Sequence, residues 1–220
     1  MRPLVLFDVD NTLVDRAEGF RRWALEFCSR WRLDADQVPW LEEADGDGLT
    51  PKEVFFDRVR KRFGIQEPVA SLCDEYRTRK PALIPPCPGV LDGLERLRAR
   101  GWRIGLVTNG EADVQLATII AGGLAERVDG SAISGAEGVR KPARRLFELA
   151  AERCGAALTP GAWMVGDSLA ADVRGGREAG LRTIWIDRGR PLSPDAPRPD
   201  FVVSDGAAAI ELLIGERERR

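Results

Sequence analysis

The 220 residues include no histidine. That absence excludes Ser-His-Asp and Cys-His catalysis, His-ligated zinc and imidazole acid–base chemistry. Proton transfer near neutral pH therefore falls to carboxylates, Lys, Cys, Tyr or bound water. An excess of one charge is also missing: 33 basic residues face 35 acidic ones, a net of −2. Nothing in that balance favours nucleic acid as a partner, and the arginine-rich stretch Arg58–Arg62 is flanked by acids, as on a solvated helix face. Long apolar runs are absent too. The longest uncharged stretch, Cys154 to Gly166, is 13 residues and contains Pro and Gly, whereas a membrane span needs about 20 apolar residues. Leu4–Phe7 meets Asp8 too early to make a signal-peptide core. The four cysteines show neither close pairing nor metal-ligand spacing, which predicts buried thiols in a reducing cytoplasm.

What is present alternates short β-rich runs with helical patterns, the mark of a parallel sheet covered by helices. Strands are predicted at Leu4–Phe7, Ile104–Val107, Trp163–Val165, Thr183–Ile186 and Phe201–Val203, with a weaker one within Val128–Ile133. Helical spacing marks Val90–Ala99, Ala112–Ala121, Arg144–Cys154 and Leu169–Ala179, with Gly101, Gly155 and Gly180 as stops. One interval, about Asp15 to Leu83, has helices and no strand. Phe20, Trp23, Ala24, Phe27 and Trp31 recur at steps of three and four, a stripe read as packing. Thr50-Pro51-Lys52-Glu53 resembles a capping box with Pro at the first helical position, followed by Val54, Phe55, Val59 and Phe63 on one side. Val69, Leu72, Cys73 and Tyr76 predict a third helix. The predicted organisation is an α/β core, a Rossmann-like doubly wound parallel sheet over 1–14 and 85–220, with a helical domain inserted over 15–84.

Four strand-end features carry chemistry. The first is Asp8-Val9-Asp10-Asn11-Thr12. Ligand sites of open α/β sheets lie at the carboxyl ends of strands, and two close carboxylates need a shared proton or a cation such as Mg²⁺. The same residues would also serve as a polar strand end with an Asx-turn. The second is Gly166-Asp167-Ser168 with Asp172 beyond it, where the acids could instead favour a helix dipole. The third, Thr108-Asn109-Gly110, offers a hydroxyl, an amide and backbone N–H groups to a phosphate, although Asn-Gly also marks an ordinary turn. The fourth is Lys141-Pro142, in a chain with 29 Arg and only four Lys. An ammonium there suits one oxyanion, or is simply surface.

In this order, Asp8-x-Asp10-x-Thr12, Thr108-Asn109, Lys141 and Gly166-Asp167-x4-Asp172 resemble the haloacid dehalogenase-like (HAD) hydrolase superfamily. The insertion falls where one subgroup carries a helical cap. Asn11 stands where many members have Gly, and Asn tolerates left-handed geometry. The resemblance implies that Asp8 attacks a phosphoryl group and that Asp10 protonates the leaving oxygen, then deprotonates water. It implies that Thr108 and the Asn109 backbone hold phosphoryl oxygens while Lys141 offsets charge, and that Thr12 steadies the loop. Mg²⁺ would bind the Asp8 carboxylate, the Asp10 main-chain carbonyl and the Asp167 carboxylate, with Asp172 supporting directly or through water.

The implied activity is Mg²⁺-dependent hydrolysis of a small phosphorylated metabolite. Members that cleave carbon–halogen bonds lack an acid at the position of Asp10, so dehalogenation is not expected. A phosphomutase on the same fold remains open, as does, from another class, a phospho-acceptor signalling domain. Phosphoglycolate, nucleoside monophosphates and sugar phosphates are all candidate substrates, and the oligomeric state is not specified. Trp23, Trp40, Arg21 and Arg22 are candidate cap residues for substrate choice. Glu43–Gly48 imitates half a calcium loop, but its twelfth position would be Val54 where a Glu is needed. The Pro-rich loop Gly189–Pro199 reads as a surface connection that follows a strand end.

Overall fold

The computed structural model describes residues 2–218. The chain divides into two compact units, Arg16–Pro85 and Met1–Asp15 with Pro86–Arg220.

The first of these is helical: α1 (Arg16–Trp31), α2 (Val38–Asp45), α3 (Lys52–Phe63) and α4 (Val69–Arg79). The aromatic stripe of α1 is packing. Trp23 meets Phe56 and Tyr76 edge to face, at interplanar angles of 84° and 88°, and Phe27 at 5.0 Å between ring centres. Such pairs add about 0.5–1.5 kcal/mol each beyond the area they bury. Three sequence expectations change here. Pro51 stands one residue outside α3, where its carbonyl accepts the Phe55 N–H, and no side chain caps that end. Val54 is exposed, and Phe56 joins Phe55 and Val59 in the core instead. The helix α2 was not anticipated.

The second unit holds β1 (Leu4–Phe7), β2 (Arg103–Thr108), β3 (Gly130–Ile133), β4 (Trp163–Gly166), β5 (Arg182–Ile186) and β6 (Phe201–Val203). They form one parallel sheet in the order β3-β2-β1-β4-β5-β6. Its helices are α5 (Val90–Ala99), α6 (Ala112–Ala121), α7 (Ser134–Glu137), α8 (Arg144–Arg153), α9 (Gly175–Glu178) and α10 (Gly206–Glu218). Every residue of β1 is buried, as a central strand covered on both faces requires. Side chains alternate along it. Leu4 and Leu6 share a core with Leu146, Phe147, Ala150 and Ala151 of α8. Full burial of a side chain such as Phe147 stabilises by about 1.5–3 kcal/mol.

This strand order places the switch point between β1 and β4, where an open α/β sheet has its crevice. The register pairs Phe7 with Leu106 on one side and with Val165 on the other. Asp8, Thr108 and Asp167 thus emerge at one end of three adjacent strands. Leu169–Ala179, expected as one helix, begins with a π-helical turn over Leu169–Arg174 before α9.

Candidate active site

Asp8 continues the ladder one residue past β1, its N–H donating to the Val165 carbonyl at 2.9 Å. The chain then winds around the Val9 carbonyl, which accepts from the N–H groups of Thr12, Leu13 and Val14. Asn11 takes the left-handed conformation that this turn demands, with φ of 58°. The loop returns the Thr12 hydroxyl to Asp8, where it donates to Oδ2 at 3.3 Å.

Lys141 completes the grip. Its Nζ donates to Asp8 Oδ1 at 2.6 Å and to Asp172 Oδ1 at 2.7 Å, and all three side chains are buried. Burial disfavours the ammonium, yet Asp172 and Asp8 outweigh it and hold the lysine protonated above its usual range. Burial pushes the Asp8 carboxyl up to about 8, with Asp172 and Asp167 pushing the same way and Lys141 pulling against them. The two shifts belong together. Two carboxyls share one ammonium, which favours the charged lysine, while burial and the second carboxyl raise the proton affinity of Asp8.

Asn109 sets the lysine in place. Its Oδ1 accepts the Lys141 N–H at 2.8 Å and its Nδ2 donates to the Lys141 carbonyl at 3.1 Å. The Asn109 side chain is therefore engaged with Lys141, while Thr108 lies buried at the end of β2. Asp172 is committed on both oxygens, Oδ1 to Lys141 and Oδ2 to the Ser168 N–H at 2.9 Å. A Cβ on Gly166 would stand 2.2 Å from Asp172 Oδ2, so the missing side chain makes this approach possible.

Asp167 closes the cluster from β4. Its carbonyl accepts from Trp185 Nε1 at 3.0 Å and from Arg190 at 2.7 Å, and its Oδ2 faces Arg188 at 3.2 Å and Arg190 at 3.3 Å. Burial, helped by Asp172, raises its carboxyl to about 6 against the pull of Arg190 and Arg188. Carboxylate oxygens of Asp8, Asp167 and Asp172 lie within 4.8 Å of one another. Hard oxygen donors at that spacing, two of them with raised proton affinity, are a set that Mg²⁺ would fit and relieve.

Sequence reasoning missed three residues here. Arg188 and Arg190 follow β5 and reach Asp167; their only signal was that the loop leaves a strand end. Gln115 donates to Asp10 Oδ2 at 2.7 Å. Its signal was a polar residue on the inward face of α6, beside buried Thr118 and Ile119. The candidate cap residues fare differently. Trp23 is core, Trp40 packs edge-on against Phe63 at 5.4 Å, Arg22 pairs with Glu18, and Arg21 is exposed. Asp45, from the calcium-like fragment, is taken up by Arg16 and Lys52.

The motif order and the sheet agree with what comparison with known proteins finds. A family model for haloacid dehalogenase-like hydrolases matches residues 3–180. A phosphoserine phosphatase from Thermus thermophilus is 37% identical, with 92% of this chain and 95% of the relative covered. A glyceraldehyde 3-phosphate phosphatase from Methanopyrus kandleri is 34% identical, covering 93% and 92%. Among solved structures, the magnesium-bound HAD-hydrolase YfnB from Bacillus subtilis superposes with a TM-score of 0.80 at 24% identity, covering 98% of each chain. With the family matched over most of its length, the chain is a hydrolase of the haloacid dehalogenase-like family.

Proposed function

We propose that the protein is a Mg²⁺-dependent phosphatase that hydrolyses a small phosphorylated metabolite through an aspartyl-phosphate on Asp8. The observation that carries this reading is a pair of differently held carboxyls two residues apart. Asp8 is gripped by Lys141 and Thr12, and Asp10 is held separately by Gln115. An Asp8 oxygen attacks phosphorus as the ester P–O bond breaks, and Asp10 gives its proton to the departing oxygen. Water then attacks the aspartyl-phosphate, Asp10 takes a proton from it, and inorganic phosphate leaves with Asp8 restored. Lys141, kept charged by its two acids, offsets charge on the phosphoryl oxygens, and Thr108 with the Asn109 N–H orients them. Asp172 steadies Lys141 and the Ser168 turn. Asp8, Asp167 and the Asp10 main-chain carbonyl would hold Mg²⁺, which supplies positive charge and lowers the proton affinity of Asp8. The Arg16–Pro85 unit is read as the cap that selects the substrate.

The phosphatase names of the two relatives above support the ester class, and phosphoserine and glyceraldehyde 3-phosphate head the assay panel for that reason. The panel also contains phosphoglycolate, glycerol phosphate, nucleoside monophosphates and sugar phosphates, all in Mg²⁺. Wild type is expected to release inorganic phosphate from at least one ester. Asp8→Asn should abolish release, and Asp10→Asn should lower it by about 10²- to 10⁴-fold, the usual worth of a placed acid–base group. No wild-type release across the panel, or release unchanged by Asp8→Asn, overturns the reading.

A further inference from the structure

Gln115 is 3% exposed on the inner side of α6. A buried primary amide costs free energy unless it is hydrogen-bonded, and this one is only half served. Its Nε2 donates to Asp10 Oδ2 at 2.7 Å and, more weakly, to the Asn109 carbonyl at 3.3 Å. Its Oε1 is buried with no hydrogen-bond partner among the described residues. The shorter of its two contacts, and the one to a charged-group oxygen, is the bond to Asp10. The loop after β2 makes room for it. A Cβ at Gly110 would lie 2.8 Å from both Cγ and Nε2 of Gln115.

We infer that Gln115 is the positioning residue for Asp10, holding its carboxyl by Oδ2 so that Oδ1 carries the transferable proton. This rests on the phosphatase reading above. An amide N–H at Oδ2 favours the carbonyl form of that oxygen, leaving the hydroxyl on Oδ1. In the first step the Oδ1 proton passes to the ester oxygen as the P–O bond breaks and the Asp8–phosphorus bond forms. In the second step Oδ1 takes a proton from the attacking water as the Asp8–phosphorus bond breaks. Gln115 itself gains and loses nothing.

A mispositioned acid hurts poor leaving groups selectively, because an alkoxide needs a proton and a nitrophenolate does not. The test is single-turnover release of the leaving group, with enzyme in excess and Mg²⁺ present. It uses 4-nitrophenyl phosphate and the alkyl phosphate of the panel that wild type cleaves fastest. Gln115→Met keeps the volume and removes the donor. The alkyl rate should fall on the order of 10- to 100-fold, with the aryl rate changed by less than about threefold. Gln115→Glu, closer in shape, serves if the first variant does not fold. Its alkyl rate relative to wild type should recover as pH falls, since a protonated Glu can donate again. Equal losses on both esters, or no alkyl loss, would mean that Gln115 is merely structural and overturn the inference alone. If wild type cleaves neither ester, the phosphatase reading falls and this one with it.

Discussion

Lys141 holds Asp8 and Asp172 at once, so the setting of Asp8, the proposed nucleophile, depends on Asp172 as well. Asp172 reaches Lys141 only because Gly166 has no side chain. Gly166→Ala should therefore push the Asp172 carboxylate off the Ser168 N–H and away from Lys141. Displacements of about 1 Å near a reacting centre can cost on the order of 100-fold, and kcat/KM should fall by about that much while melting stays cooperative. An unchanged kcat/KM would mean that Asp172 does not set the lysine. At this scale much was legible. Asp8, Asp10, Asp167 and Asp172 stand out because acids directly after apolar runs are unusual and their spacing is local. Asn109's amide contact with the Lys141 backbone was not legible, since the two residues are 32 positions apart and no period links them.

Among the elements, one buried carboxylate ties together three of the Arg16–Pro85 helices beside their aromatic packing. Asp45, at the end of α2, accepts from Arg16 at the start of α1 at 2.6 Å, from the Gly48 N–H at 2.8 Å and from Lys52 at the start of α3. Burial works to raise its carboxyl, but Arg16 and Lys52 outweigh this and hold it below the ordinary 3.8. Removing the charge takes the closest partner from buried Arg16 and from half-buried Lys52, so Asp45→Asn should cost about 3 kcal/mol, in the range for breaking a buried pair. Urea denaturation would measure it. A lowered folded value stabilises above the unfolded one and is lost as pH falls through it. The gap between wild type and variant should therefore be full near neutrality and shrink below about pH 4; a gap independent of pH would contradict this. The stripe of α1 was legible because 16 residues span enough turns to reveal a period. The helix α2 was not, since eight charge-rich residues with a Pro near their start are too few. The π-helical turn was also hidden. The Val173 and Asp172 N–H groups both donate to the Ser168 carbonyl, widening the turn so that Asp172 faces back toward Lys141, a tertiary demand rather than a local preference.

For the molecule as a whole, the acid cluster ties stability to pH and, on the proposed reading, to Mg²⁺. Asp8, raised to about 8, and Asp167, raised to about 6, bind protons more tightly in the folded state than at the ordinary 3.8. Between those values the native state holds more protons than the unfolded chain, so the metal-free protein loses stability as pH rises from about 4 to about 8. Mg²⁺ should bind better once the protons have left. Its addition after chelator treatment should raise Tm by several degrees more at pH 8 than at pH 5. Equal shifts at both pH values would contradict this use of the cluster.

By itself the sequence determined the chain order of the strands, the longer helices between them and the acids that end the strands. It also carried the missing imidazole and the left-handed Asn11 turn, because apolar runs, turn residues and short spacings act on near neighbours. Only the tertiary structure decided that Gln115 meets Asp10 across 105 positions, that Asn109 sets Lys141, and that Arg188 and Arg190 face Asp167. Those pairings come from strand order and register, which bring distant segments together at one sheet end and are encoded in no single stretch of chain.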